Sequence, residues 1–158
     1  MMRSTHIAAA PSSMLLSEFI EYFVTMSKHD LRPTTLDRIY RPSFKSFLKV
    51  AGNKELSSYT VRDVETYKAE RLNTCSPVTY NIAFRTLKAA FNQAIKWELS
   101  NENPFLKSKQ VRVPEKPPIH FTREDFDKFI AVVKEPVLKD LCIFAVMTGM
   151  RQGEILNL

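Results

Sequence analysis

Ser76-Pro77-Val78-Thr79-Tyr80-Asn81-Ile82-Ala83-Phe84-Arg85-Thr86-Leu87-Lys88-Ala89-Ala90-Phe91-Asn92-Gln93-Ala94-Ile95 is the stretch from which the fold is read. Ser76 before a proline is an N-cap signature, because a first-turn proline gives up only an N–H that has no helical partner. Tyr80, Phe84, Leu87, Phe91, Ala94 and Ile95 then recur at three- and four-residue spacing, the apolar stripe of one long helix reaching about Leu99. The run Ser100-Asn101-Glu102-Asn103-Pro104 ends it.

Such a stripe needs apolar partners, and three upstream segments supply them. Leu15, Leu16, Phe19, Ile20, Phe23 and Val24 mark a first helix from Met14 to about Lys28. A second opens near Pro33 with the stripe Leu36, Tyr40, Phe44, Phe47 and Leu48. Pro42 lies inside this pattern and removes the bond to the Arg38 carbonyl; the stripe keeps its phase, so a kink is expected and not a break. Gly52 then offers a left-handed stop. Thr60-Val61-Arg62-Asp63 has the form of a capping box opening a third helix from about Val61 to Leu72. No segment alternates with the period of a strand, so the fold class is all-α.

Outside the four-helix unit, expected over 14–104, the pattern changes. Residues 1–13 have no periodicity and read as a disordered leader. Residues 105–120 turn to Lys, Val and Pro and read as an extended linker. Thr122 with Asp125 repeats the capping signature, opening a helix with Phe126, Phe129 and Val133 on one face; Pro136 separates it from a nearly all-apolar helix, about Val137–Met147, that calls for burial. Residues 121–158 are thus expected to start a second domain and to leave it incomplete.

Composition narrows the function. A chain of 158 residues, 44% apolar and 25% charged, has the balance of a globular protein. Its 3 glycines, Gly52, Gly149 and Gly153, cannot build a Gly-rich nucleotide loop. A net charge of +6 favours polyanionic partners, nucleic acid ahead of anionic membrane. The longest apolar run, the seven residues Leu141–Met147, is far short of the roughly 20 needed to span a bilayer. With no secretory signal either, a cytoplasmic location is expected, and the 2 cysteines, Cys75 and Cys142, are expected as thiols. No metal or other cofactor is called for.

The positive charge is unevenly placed. Residues 31–50 carry Arg32, Arg38, Arg41, Lys45 and Lys49 against Asp37, whereas 14–30 carry Lys28 against Glu18, Glu21 and Asp30. Arg38, Arg41, Lys45 and Lys49, with Thr34 at the helix start, follow one helical face and suit a phosphate-tracking stripe. A solvated basic face opposite the core is the competing reading. Thr79, Asn81, Arg85 and Lys88 add phosphate candidates where the fourth helix begins, although Asn81 also reads as a surface amide.

One motif remains: Thr148-Gly149-Met150-Arg151-Gln152-Gly153-Glu154-Ile155-Leu156-Asn157-Leu158. It resembles the first catalytic-arginine segment of the tyrosine recombinases, the phage-integrase family. Ser76-Pro77-Val78-Thr79-Tyr80-Asn81 and Asn103-Pro104-Phe105 are similar to that family's fourth-helix start and domain exit. The resemblance implies a four-helix SAM-like core-binding domain, a linker, and the first helices of a catalytic domain. It implies double-stranded DNA as partner, self-association on DNA in the full-length protein, and site-specific recombination. It also assigns Arg151 to the scissile phosphate while a tyrosine attacks to form a phosphotyrosyl link, with Glu154 holding the guanidinium. The plain alternative is an i, i+3 surface ion pair.

The family's further ligands and its tyrosine nucleophile are expected after the first arginine. Here Tyr22, Tyr40, Tyr59, Tyr67 and Tyr80 all precede Arg151, as do His6, His29 and His120, so the chain by itself is expected to be inactive. Tyr40, Tyr67 and Tyr80 fall on apolar stripes as core residues. A non-catalytic protein regulating or competing at recombination sites, and a helical protein-interaction module, are the alternatives from other classes.

Overall fold

A computed structural model describes residues 13–115, 117 and 120–158. The expected leader over 1–13 therefore lies, save for Ser13, outside the described residues, as do Lys116, Pro118 and Ile119 of the expected linker. The helices are α1 (Leu16–Met26), α2 (Pro33–Thr35), α3 (Arg41–Ala51), α4 (Val61–Leu72), α5 (Pro77–Lys96), α6 (Arg123–Val132), α7 (Pro136–Thr148) and α8 (Gln152–Ile155). No strand occurs among the described residues, which places the protein in the all-α class.

The helix starts follow local chemistry. The Ser76 hydroxyl accepts the Thr79 N–H at 3.2 Å, and Pro77 occupies the first turn of α5. At α4 the carboxylate of Asp63 accepts from both the N–H and the hydroxyl of Thr60, at 2.8 and 2.9 Å, and takes a 2.6 Å ion pair from Lys54. Gly52, after α3, has φ +78°, a region closed to most side chains. Glu98 holds a positive φ of 60° just past α5, so a non-glycine residue bears the strain there.

The second helix runs on through Pro42 without a break, as expected. Residues Leu36–Tyr40 widen into a π turn that joins α2 to α3, and the Arg41 N–H reaches back to the Leu36 carbonyl. The turn absorbs the missing proline donor while keeping Phe44 and Phe47 in the core.

The described residues fall into two compact units that divide after Pro114. The first has a core of Leu16, Phe19, Phe23, Leu36, Phe44, Phe47, Val64, Tyr67, Tyr80, Phe84, Leu87 and Phe91. Tyr59 belongs to it as well, although its spacing did not mark it, while Tyr40 is only half-buried. Ahead of α1, backbone bonds Leu16 N–H to Lys54 carbonyl (3.0 Å) and Leu56 N–H to Met14 carbonyl (2.8 Å) tie the chain start to the α3–α4 loop.

The stretch beginning at residue 105 is not a free linker. Phe105, in a 3₁₀ turn over Pro104–Leu106, is fully buried against Phe47, Phe84 and Phe91, with ring centroids 5.3, 5.6 and 5.3 Å away. Asn103 fixes that turn: its side-chain oxygen accepts the Phe105 N–H at 2.9 Å, and its amide donates to the Lys88 carbonyl and to Asn92. The domain exit therefore lies about ten residues beyond the proline that stops α5.

The second unit holds α6–α8. Thr122 and Asp125 cap α6 reciprocally, and Gly149 ends α7 in the left-handed conformation at φ +66°. The expected burial of α7 is not met within this unit: no residue of α6, α7 or α8 is fully buried, and Val137 and Met147 are 73% and 80% exposed.

Phe105→Ala should destabilise the first unit by about 3–5 kcal/mol, as deletion of a fully buried ring does, whereas a linker residue would change nothing; denaturant unfolding measures this. Burial disfavours ionised Asp63, yet the bonds from Lys54 and Thr60 outweigh it and hold the carboxyl below its ordinary value. Such a group stabilises the fold above its unfolded pKa of about 3.9 and loses that contribution as pH falls through the folded value. Asp63→Asn should therefore lower Tm at neutral pH, with the gap to the parent closing as pH falls below about 4.

Candidate functional site

Three helical segments meet at a cleft of about 290 Å³ lined by Arg38, Ile39, Pro42, Ser43, Ser46, Arg71, Thr79, Ile82 and Ala83. Arg38 comes from the π turn, Thr79 from the first turn of α5, and Arg71 from the last turn of α4. The hydroxyls are held in place: Ser43 donates to the Ile39 carbonyl, and Ser46 Oγ bonds Tyr67 Oη at 2.7 Å. Ser76 and Thr79 pair their hydroxyls at 3.0 Å.

The cations are not equivalent. Arg41 is bound on two sides, Nε to Asp37 at 3.2 Å and a terminal nitrogen to Glu21 on α1 at 3.7 Å. Arg38 and Arg71 have no carboxylate within 4 Å among the described residues, nor do Lys45, Lys49, Arg85 and Lys88. Arg71 Nε is shut off from water with no hydrogen-bond partner. The π turn explains the division. In a regular helix Arg38 and Arg41 lie close on one face; the wider turn swings Arg38 toward α5 while Arg41 stays over α1, so the single basic stripe expected from spacing is split.

The other anticipated residues are placed as follows. Thr34 is exposed in α2, and Lys45 and Arg85 are exposed on α3 and α5. Arg85 Nε donates to the Asn81 carbonyl at 3.3 Å, which steadies its side chain. Lys88 is half-buried. Asn81 is neither a surface amide nor open to a ligand: it is buried, its amide donates to the Val111 carbonyl at 2.7 Å, and its oxygen accepts the Val111 N–H at 2.9 Å. It mimics a strand neighbour for the segment leaving α5.

Two further side chains hold that segment: Glu65 accepts from Ser108 Oγ, and Lys68 reaches the Lys109 carbonyl at 3.5 Å. Neither these nor Arg71 was singled out from the sequence. Arg71 sits in the last turn of α4, where a cation is sufficiently explained by the helix dipole.

In the second unit Arg151 is the N-cap of α8 and is 88% exposed at its side chain. Glu154 accepts the Arg151 N–H at 2.9 Å and its guanidinium at 3.2 Å. Within this chain the pair has the form of the exposed i, i+3 ion pair, worth a few tenths of a kcal/mol, while one carboxylate fixes both the backbone and the side chain of the arginine.

Four helices closed by an aromatic core, a serine-capped fourth helix and an asparagine-pinned exit define a phage-integrase type of helical domain. Residues 12–111 match the family model described as Phage integrase SAM-like domain, and the chain belongs to that family. Over 161 aligned residues it is 24% identical to a protein of Escherichia coli (strain K12) described as the defective protein IntQ. That alignment covers 92% of this chain and 40% of the relative, so the chain spans about two fifths of the length of the curated protein it matches. No solved structure matches the chain. Among the described residues, no helix is long and apolar enough to cross a membrane.

Asn81→Ala should remove both bonds to Val111 and cost about 1–3 kcal/mol. Hydrogen exchange at the Val111 amide should accelerate far more than at amides inside α5, because only the strapped segment loses its anchor.

Proposed function

We propose that the first unit binds double-stranded DNA as the core-binding domain of a site-specific tyrosine recombinase acting in the cytoplasm. The observation that carries this reading is that two cations without a carboxylate partner, Arg38 from the π turn and Arg71 from α4, line one cleft with Thr79 of α5, within a chain of the integrase family. Cations without acidic partners are available to phosphate, and exchanging them for condensed counterions is what drives binding to a duplex. Thr34, Lys45, Arg85 and Lys88 are the further phosphate contacts of this reading; Arg41, already held by two carboxylates, contributes less, and Asn81 acts on the exit segment.

In this reading Arg151 serves a later step. Held at its backbone and its guanidinium by Glu154, it presents a planar fork to two oxygens of the scissile phosphate and offsets the charge that grows as a tyrosine attacks. The attacking tyrosine is none of the five in this chain. Tyr59, Tyr67 and Tyr80 are buried and their phenols shifted upward by burial, Tyr40 is shifted the same way, and Tyr22 packs edge-on against Trp97 at 5.3 Å. The chain alone therefore binds and does not cleave. A second reading, a non-catalytic protein that occupies recombination sites, is favoured by the description of the relative IntQ as defective.

Duplex binding by the 158-residue chain should weaken as salt rises, with log K against log salt flattening by about one unit for each of Arg38→Gln, Lys45→Gln and Arg85→Gln, and by clearly less for Arg41→Gln. The same chain incubated with a nicked suicide duplex should give no covalent adduct; an adduct would contradict the assignment of the tyrosines.

A further inference from the structure

We propose that the cleft between the π turn, α4 and α5 is a seat for a single phosphate group, gripped by Arg38 and Arg71, which line it together with Thr79. The proposal rests on the DNA-binding reading for its biological ligand, a backbone phosphodiester, but the seat itself is argued from the geometry. Both guanidiniums line one cleft of about 290 Å³, a volume that admits a phosphate with ordered water. Neither has an acidic neighbour, and Asp37, the carboxylate next to Arg38 in sequence, is taken up by Arg41. Arg71 is the more telling of the two. A guanidinium has five donors and no acceptor, and a half-buried one is ordinarily paired; here the Tyr67 phenol lies beside the Arg71 guanidinium, yet its Nε is shut off from water without a partner. No carboxylate lines the cleft to neutralise the two charges, and the hydroxyls of Ser43, Ser46 and Thr79 already have partners within the protein. An anion with several acceptor oxygens completes this arrangement, and a phosphate offers enough of them to meet both forks and the hydroxyl.

Arg71 is thereby set apart from the exposed lysines and arginines around it. Those act as screened charges along a duplex, whereas Arg71 contributes through fixed geometry, so a lysine in its place keeps the charge and loses the grip.

The test uses the whole chain and two probes. Inorganic phosphate is titrated at constant ionic strength while the arginine Nε–H and the Thr79 amide resonances are followed. Saturable shifts at Arg71, Arg38 and Thr79 are expected, with the dissociation constant raised at least fivefold in Arg71→Gln and in Arg38→Gln and by an intermediate factor in Arg71→Lys. Linear, unsaturating shifts, or saturation unaltered by these substitutions, would mean an adventitious ion only and would overturn the seat. With a DNA duplex as the second probe, Arg71→Gln should flatten the salt slope by about one unit, and Arg71→Lys should preserve the slope while weakening binding. A flattening in Lys45→Gln but none in Arg71→Gln would remove the seat and leave the DNA-binding reading intact. Phosphate saturation in a chain that binds no duplex would keep the seat and remove that reading. Arg38→Gln, at an exposed position, guards against misfolding of the Arg71 variants, whose unfolding midpoints are measured alongside.

Discussion

The ring of Phe47 lies 5.3 Å from Tyr59, 5.2 Å from Tyr67, 6.1 Å from Phe91 and 5.3 Å from Phe105, centroid to centroid. These four rings come from the loop before α4, from α4, from α5 and from the turn after it, so one fully buried side chain on α3 is the meeting point of every later segment of the first unit. All four pairs are tilted or edge-on, the arrangement aromatic quadrupoles prefer. The position of α5 against α3 follows from this contact, and with it the distance across the cleft. The exit segment is fixed by the same contact, since Phe105 packs on Phe47 before Asn81 can reach Val111.

Charge in the first unit is distributed by packing more than by composition. Arg38 and Arg41 are three residues apart on a continuous helix, yet one lines a cleft without a counterion and the other bridges Glu21 and Asp37. What separates them is the run of backbone from Leu36 to Tyr40, where Pro42 has withdrawn a donor and the helix has widened to compensate. Availability for an anion is thus a property of the turn as well as of the side chain.

The helices were legible in the sequence because what specifies them is local. The Ser76-Pro77 start, the Tyr80–Ile95 stripe, the Thr60/Asp63 and Thr122/Asp125 caps and the Gly149 stop all act within a turn or two. Pro42 was legible as a perturbation that does not break the helix, while the widening just before it, over Leu36–Tyr40, leaves no mark in the spacing. The site was less legible for a related reason. Asn81 finds its partner 30 residues away and Ser108 finds Glu65 43 residues away, separations that leave no periodic trace. Phe105 sits in a stretch whose lysines and prolines have the composition of a linker, and a single buried ring does not alter that average. Arg71 is explained at the sequence level by the dipole of its own helix, so nothing marked it as a wall of the cleft.

The widened turn also bears on how such a domain can change. A π turn holds one more residue per hydrogen-bonded loop than an α turn, so the rod from Pro33 to Ala51 already carries an additional residue without a bulging loop. Gain or loss of a single residue between 36 and 40 can be absorbed there while Phe44 and Phe47 keep their places. Such an event would re-aim every side chain upstream of it relative to those downstream in one step, a shift of register that no accumulation of substitutions achieves. The rod thus has a built-in indexing point, which sets the side chains ahead of it against the fixed positions of Phe44 and Phe47.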